Sequence, residues 1–327
     1  MRSLSGAVRT ACGKRVGRFA AGGSFCVCVN NVLMTERKED EMPLAAGCGV
    51  DLHCHSSASD GVLAPAQVVM RAANNGVRLL ALTDHDTLAG LDEAFACARQ
   101  HRGLRLLAGV EISASFCDAS VHIEGLDVDA DNAALRAGLQ RVRDGRAKRA
   151  ERMAAAIEAA LGVRGALAGA MRFAQNPAVV GRAHFARWMV EQGFGQDEAA
   201  VFQHYLNPGK PGYVAHDWVS VPDAVAWIQG AGGVAVLAHP ARLRLSLKAR
   251  TALIRTFAGA GGAAVEVVCS AHDDKAVRRF ARLAQGLRWQ ASVGSDFHAP
   301  GKARFDLGGC PPLPPGQRPV WTRWLED

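Results

Sequence analysis

The segment Asp51-Leu52-His53-Cys54-His55 sets two imidazoles two residues apart. Residues i and i+2 of an extended chain share a face, so His53 and His55 can close on one metal ion together. Similar groups recur along the chain: Asp60, then Thr83-Asp84-His85-Asp86, Gly109-Val110-Glu111, His122, His239-Pro240 and Ser295-Asp296-Phe297-His298. One His-x-His pair is weak evidence for a metal, and a lone histidine such as His122 is more often satisfied within a core. The recurrence is what points to metal chemistry. Imidazoles mixed with carboxylates suit Mn²⁺, Zn²⁺ or Fe²⁺ rather than Ca²⁺ or a thiolate site. The candidate ligands His53, His55, Asp60, His85, Glu111, His122, His239, Asp296 and His298 are too many for one ion. Two or three divalent ions are therefore expected, bridged by carboxylate at ~3.5–4 Å, the spacing of hydrolytic multi-metal sites.

Short apolar, β-branched runs precede most of these groups. The pattern predicts strands over 49–53, 78–83, 104–110, 121–126, 233–238, 263–268 and 289–293. Ala-rich helical stretches separate them over 65–74, 90–101, 221–231, 247–260 and 274–285. Strands alternating with helices predict a parallel sheet covered by helices, with right-handed crossovers. The polar groups cluster at strand ends, which favours a barrel, since a (βα) barrel builds its active site there. Residues 130–214 break the rhythm: helical patterns over 132–161 and 183–192 lead to the turn Asn207-Pro208-Gly209-Lys210-Pro211-Gly212, with no strand-like run between. This reads as a helical, substrate-binding insertion between a first barrel segment, 48–129, and a second, 215–327, which ends in a Pro-rich tail.

The chain has 327 residues, 49% hydrophobic and 21% charged, which excludes wholesale disorder. No apolar run is long enough to span a membrane. Thirty-eight Lys+Arg against 31 Asp+Glu give a net charge of +7, a modest excess that fits an anionic small ligand better than a protein coating a duplex. Nine cysteines without a C-x-x-C pair predict a reducing, cytoplasmic setting and no disulfide framework. Residues 1–35 hold Arg2, Arg9, Lys14, Arg15 and Arg18 and no acidic residue. That composition resembles a transit peptide, but residues 1–47 read more simply as a disordered extension or a mis-chosen start, with Met42 the true beginning.

His53-x-His55, Thr83-Asp84-His85-Asp86, Gly109-Val110-Glu111, Ala238-His239-Pro240 and Gly294-Ser295-Asp296-x-His298, taken in order, resemble the signature motifs of the PHP (polymerase and histidinol phosphatase) family. The resemblance implies an α/β fold, a distorted (βα)7 TIM-like barrel with up to three metals, Mn²⁺ foremost. Within the insertion, Gly145-Arg146, Arg149, Asn176-Pro177, His184-Phe185-Ala186-Arg187 and Pro208-Gly209-Lys210-Pro211-Gly212-Tyr213 are similar to the subfamily of nucleoside 3′,5′-bisphosphate phosphatases, also described as short-RNA 5′→3′ exoribonucleases. Carried over by motif, one ion takes His53, His55, Glu111 and Asp296. A second shares Glu111 and takes His122 and His239, and a third takes Asp60, His85 and His298. Many members have His where this chain has Asp60; the bisphosphatase branch has Asp. Asp84 and Asp86 are expected to orient His85 without being ligands themselves.

No side-chain nucleophile is evident, since there is no Gly-x-Ser-x-Gly elbow and Cys54 points to the opposite face from its neighbours. The attacking group is expected to be hydroxide formed from water on the ions. A Gly-x-x-x-x-Gly-Lys-[Ser/Thr] phosphate loop is also missing, which argues against an ATPase. The helix over 136–152 carries Arg136, Arg141, Arg143, Arg146, Lys148, Arg149 and Arg152 against Asp144 and Glu151. Beside a phosphate-cutting site, Arg146, Arg149 and Arg182 are expected to hold a second, uncut phosphate through planar bidentate pairing, with His272 a weaker candidate. The reaction expected is removal of the 3′-phosphate from a nucleoside 3′,5′-bisphosphate. The closest rival is phosphodiester cleavage of short RNA or DNA from the 5′ end. Histidinol-phosphate hydrolysis is disfavoured, because a monophosphate needs no second anion clamp. A non-enzymatic nucleic-acid module is disfavoured by the complete ligand set. The aromatics are not interleaved with the basic stretch, so a stacking platform for long strands is absent. Nothing indicates a membrane or an obligate protein partner.

Overall fold

The computed structural model describes residues 49–216 and 218–325; the extension over 1–47 and the start at Met42 lie outside the described residues. Seven strands make one sheet: β1 (Val50–Asp51), β2 (Leu79–Leu82), β3 (Arg105–Phe116), β4 (Ala119–Leu126), β6 (Val234–Leu237), β7 (Ala264–Cys269) and β8 (Gln290–Gly294), in the order β1-β2-β3-β4-β6-β7-β8. The two-residue β5 (Val219–Ser220) pairs with the far end of β3. Beyond β8 the chain returns to β1. Leu52 N–H donates to the Val293 carbonyl at 3.0 Å, Asp296 N–H to His53 at 2.8 Å and His55 N–H to Phe297 at 2.8 Å. The result is a mixed α/β fold around a nearly closed, barrel-shaped sheet.

Strands buried on both faces need continuous apolar runs, which Leu79–Leu82 and Ala264–Cys269 supply apart from Glu266. Helices α1 (Pro65–Asn74), α2 (Leu91–Ala98), α7 (Val221–Gly230), α8 (Leu247–Gly259) and α9 (Asp274–Leu287) cover the sheet. In α9, Val277, Phe280, Ala281 and Ala284 recur at helical spacing and are buried. A short α10 (Thr322–Leu325) follows the Pro-rich stretch.

The sheet is not all parallel, which corrects the sequence expectation. β4 runs antiparallel to both β3 and β6, whereas the pairs β1–β2, β2–β3, β6–β7 and β7–β8 are parallel. Only Cys117-Asp118 separates β3 from β4. Two residues make a hairpin and leave no room for a crossover. β3 therefore continues past residue 110 to Phe116, and Glu111 lies inside the hairpin rather than at a strand end. Because β4 is reversed, His122 near its start stands at the rim where the parallel strands end. Cys117 takes φ 52° on this turn, and Cys54, Cys97 and Cys269 are free thiols.

The stretch after β4 holds α3 (Ala133–Leu161), α4 (Ala166–Met171), α5 (Arg182–Glu191) and α6 (Glu198–Val201). Asn132 caps α3 by accepting from Leu135 N–H at 3.0 Å, and Gly162 ends it in the left-handed region. Its first half joins the barrel core through Leu135 and Leu139. Its second half builds a separate core, Met153 and Ile157 packing with Phe185, Trp188, Met189 and Val201. Among the described residues, no helix is long and apolar enough to cross a membrane.

Gly294 ends β8 directly against His53: a Cβ there would lie 2.2 Å from His53 Cβ. Gly294→Ala should lower folding stability by ~1–3 kcal/mol through overpacking, read by urea denaturation. An unchanged midpoint would show that β1 and β8 are not held this tightly.

Candidate metal centre

Glu111, fully buried in the hairpin, is the meeting point of five imidazoles from four other segments. His122 Nδ1 and His239 Nε2 lie 2.8 Å from its Oε1. His85 Nδ1 lies 2.9 Å from Oε2, His55 Nε2 3.3 Å and His53 Nε2 3.4 Å. On the other side of the His53–His55 pair, Asp296 Oδ1 stands 3.7 Å from His53 Nε2 and 3.4 Å from His55 Nε2. His298 links Asp296, at 3.5 Å, to Asp60, at 3.3 Å, and His85 Nε2 is 4.0 Å from Asp60. All nine side chains singled out from the sequence thus meet at one rim. They come from the ends of β1, β2, β6 and β8, from the β3–β4 hairpin and from the loop after His55.

Hydrogen bonding within the protein cannot account for this arrangement. A carboxylate offers about four acceptor positions, yet five imidazole nitrogens converge on Glu111. His53 Nε2 and His55 Nε2 face each other at 3.2 Å, where at most one can carry a hydrogen. His55 Nδ1, Asp60 Oδ1, His85 Nδ1, Glu111 Oε2 and His239 Nδ1 are buried without a hydrogen bond of good geometry. Buried polar atoms are normally satisfied, and divalent cations between these oxygen and nitrogen lone pairs would satisfy them. The donor atoms group naturally as His53, His55 and Glu111; as His85, Glu111 and His122; and as His55, Asp60, His85 and His298. The residues fit a multi-metal centre.

The electrostatics agree. Burial alone would raise Glu111, but His122, His85 and His53 outweigh it and hold the carboxyl well below its usual range. Asp60 is likewise lowered against burial by His298 and His85, and Asp296 by Arg242 and His53. Burial lowers His239 to about 4 against the pull of Glu111, whereas Asp296 and Glu111 raise His55 to about 10 against burial. Two of the nine side chains sit on strained backbone: His239 at φ 24° and Asp296 at φ 53°. Such strain persists only where the surroundings over-determine it, and it gathers at functional sites.

Sequence reasoning missed the layer beneath. Glu124 and Glu266, both fully buried, place oxygens 2.9 and 3.1 Å from His53 Nδ1. Glu266 also accepts His239 N–H at 2.6 Å. Acceptance of the Nδ1 hydrogen by Glu266 fixes the His53 tautomer and leaves the Nε2 lone pair toward the cluster. Burial pushes Glu124 up to about 8, His53 pulling the other way and Glu266 adding to the rise. The signal was present: each is a lone carboxylate inside an apolar strand, and Glu124 sits two residues from His122. Asp51 was also passed over; it accepts from Ser295 N–H at 2.8 Å and Gly308 N–H at 3.0 Å, and so holds the β8 end against β1. Arg242 is the outer partner of Asp296, at 2.7 Å.

Three expectations change. Asp84 does not orient His85; it accepts from Ser56 N–H at 2.8 Å and from the hydroxyls of Ser56 and Ser59, which anchors the loop carrying Asp60. Asp86, turned away at φ 54°, accepts from Ser113 N–H at 2.7 Å and from Arg146 Nε at 2.6 Å. Arg146 is therefore committed to a buried pair and also donates to Ser113 Oγ at 2.9 Å. The His272 ring is 1% exposed, with Nδ1 2.9 Å from the Val267 carbonyl and Nε2 accepting from Ala241 N–H at 3.4 Å. Both nitrogens are used to pin the turn after His239, so none is free for a ligand.

Arg149 and Arg182 have fewer ties. Arg149 donates to the Val214 carbonyl at 2.9 Å, and its guanidinium, like that of Arg146, stacks on the Trp218 ring, at 5.5 and 5.0 Å. Burial and then the charges of Arg182 and Arg146 push Arg149 down to about 9. Arg182 is lowered mainly by burial, and it also senses Tyr213, Arg146 and Asp60. Arg149 and Arg182 crowd each other and Arg146, and Arg182 also feels the charge of Asp60.

The class that this fold and this centre define is the PHP domain. A model of that domain matches residues 51–165, and the chain belongs to the PHP domain family. A 3′,5′-nucleoside bisphosphate phosphatase of Chromobacterium violaceum is 48% identical over 272 residues, 83% of this chain and 95% of the relative. A 5′-3′ exoribonuclease of Escherichia coli is 41% identical over 275 residues, 84% of this chain and 93% of the relative. A solved structure of an amidohydrolase from Chromobacterium violaceum, with bound sulfate and no metal, has a TM-score of 0.80 at 48% identity, covering 84% of this chain and 95% of that one.

Arg146→Ala should cost ~3–5 kcal/mol of stability, the penalty for leaving a buried charge such as Asp86 without its partner. Urea denaturation reads it; a loss under 1 kcal/mol would return Arg146 to the substrate site.

Proposed function

We propose that the protein is a metal-dependent phosphoesterase that removes the 3′-phosphate of nucleoside 3′,5′-bisphosphates such as adenosine 3′,5′-bisphosphate, giving a 5′-monophosphate and phosphate. The observation that carries this reading is the guanidinium cluster beside the nine-residue centre: Arg146 pairs with Asp86 next to His85, Arg146 and Arg149 share the Trp218 ring, and Arg182 feels the charge of Asp60. A substrate with two phosphates could engage both at once, the scissile group at the imidazoles and carboxylates and the other at the guanidiniums. Two or three divalent ions, Mn²⁺ foremost with Zn²⁺ or Fe²⁺ compatible, would supply a water acidic near neutral pH and positive charge for the phosphoryl oxygens. His53, His55, Asp60, His85, Glu111, His122, His239, Asp296 and His298 would hold them. Water oxygen bonds to phosphorus, the P–O3′ bond breaks, and the 3′ oxygen leaves with a proton. Arg149 and Arg182 orient the substrate, the planar guanidinium fork matching two phosphate oxygens. The 48% identity to a bisphosphate phosphatase supports the reading.

The second reading is a 5′→3′ exoribonuclease on short RNA, supported by the 41% relative. It uses the same centre with a nucleotide as the leaving group. Metal-stripped enzyme reloaded with each ion should release phosphate from a 3′,5′-bisphosphate, with Mn²⁺ most active. Release of mononucleotides from a 5′-phosphorylated oligomer without phosphate release would favour the exonuclease instead. Arg149→Ala should raise KM at least tenfold for the bisphosphate and little for an aryl phosphate. Equal effects on both substrates would remove Arg149 from the second-phosphate role.

A further inference from the structure

The loop that carries Asp60 is held from two sides. From below, Asp84 binds Ser56 and Ser59. From above, the helical insertion takes hold of four consecutive residues. Ser57 Oγ donates to Gln175 Oε1 at 2.6 Å, and Asn176 Nδ2 donates to the Ala58 carbonyl at 3.2 Å. His184 Nε2 lies 3.1 Å from the Ser59 carbonyl, and Arg187 Nη2 donates to the carbonyl of Asp60 itself. His184 is 1% exposed, and its other nitrogen accepts from Gly181 N–H at 3.1 Å. That bond places the ring hydrogen on Nε2, so the ring donates to Ser59. Gln175 and Asn176 lie on the segment before α5, and His184 and Arg187 on α5 itself. Every other candidate ligand sits on a barrel strand, on the chain at a strand end, or in the β3–β4 hairpin. Asp60 alone sits on a loop that the separate helical subdomain also holds.

We infer that the insertion is a positioning device for the third metal ion: Gln175, Asn176, His184 and Arg187 fix the 57–60 backbone so that the Asp60 carboxylate meets His85 and His298. His184 is a positioning residue that acts through the Ser59 carbonyl. The ion held by Asp60, His85 and His298 is then the one whose affinity depends on the insertion, while the ions around Glu111 depend on the barrel. The inference rests on the ligand assignment made above for the proposed function, but ion counting reads it without substrate, so failure of the bisphosphate reaction leaves it standing.

The test uses the full chain, stripped of metal and titrated with Mn²⁺, with bound ions counted by elemental analysis and free Mn²⁺ followed by its electron paramagnetic resonance signal. His184→Gln retains an amide oxygen for Gly181 N–H and an amide nitrogen near Ser59, as glutamine does at this helix position. His184→Asn keeps the first contact but is too short for the second. Wild type and His184→Gln should bind three ions per chain. His184→Asn should bind two with unchanged affinity and the third ~10–100-fold more weakly, the usual loss when a residue supporting a ligand is removed. If His184→Asn does not fold, as judged by thermal melting, the half-buried Asn176→Ala is the deciding variant and should weaken the third ion alone. The inference is overturned if the wild type holds only two ions, if the deciding variant binds all three as the wild type does, or if it weakens all ions alike.

Discussion

A fully buried carboxylate surrounded by imidazoles is the constraint to which the rest of the molecule answers. Glu111 lies directly opposite Glu124 across the hairpin. Two ionised carboxylates facing each other across strands would repel, burial makes that repulsion costly, and Glu124 is accordingly pushed up to about 8. The conflict is resolved by cationic and hydrogen-bonding partners drawn from the whole barrel. His53 stands between the two glutamates, His85, His122 and His239 close on Glu111, and Glu266 ties His53 to the His239 backbone. A site of this kind cannot form from one local segment. It exists only once the sheet has curled far enough to bring the ends of β1 and β8 together, and a glycine at 294 lets them touch.

The insertion answers to the same centre. Its long first helix belongs to two cores, fastened to the barrel by Leu135 and Leu139 and to its own bundle by Met153 and Ile157. Gly138 removes the side chain that would otherwise strike Trp227, so α3 can lie close to α7. From this base the insertion sets Arg146 against Asp86, next to His85. Arg146 is spent on Asp86 and gives the junction rigidity; Arg149 and Arg182 remain crowded and short of counter-charge.

Much of this was readable from residue order. The seven strands of the sheet and the helices over 65–74 and 133–161 follow directly from apolar periodicity and caps, because burial on both strand faces and on one helix face leaves a one-dimensional trace. The nine converging side chains were recognised because histidine and carboxylate recurred after strand-like runs. The supporting layer was not. Glu124 and Glu266 looked like isolated polar residues within apolar strands, and their meaning depends on His53, more than a hundred residues from Glu266. The reversal of β4 was missed because the apolar pattern of a strand is blind to direction; only the two-residue turn at Cys117-Asp118 carried that information.

The chain order therefore determined which atoms could bind metal and which elements would carry them, since residue type and periodicity are local properties. Tertiary structure decided how those atoms were used. It turned Asp86 toward Arg146 instead of His85, closed His272 against the Val267 carbonyl, and brought Gln175, Asn176, His184 and Arg187 over the Asp60 loop. Each of these outcomes rests on a short-range polar contact between residues distant in sequence. Hydrogen bonds and ion pairs act over a few ångströms, so no spacing along the chain announces them until the fold has set the distances.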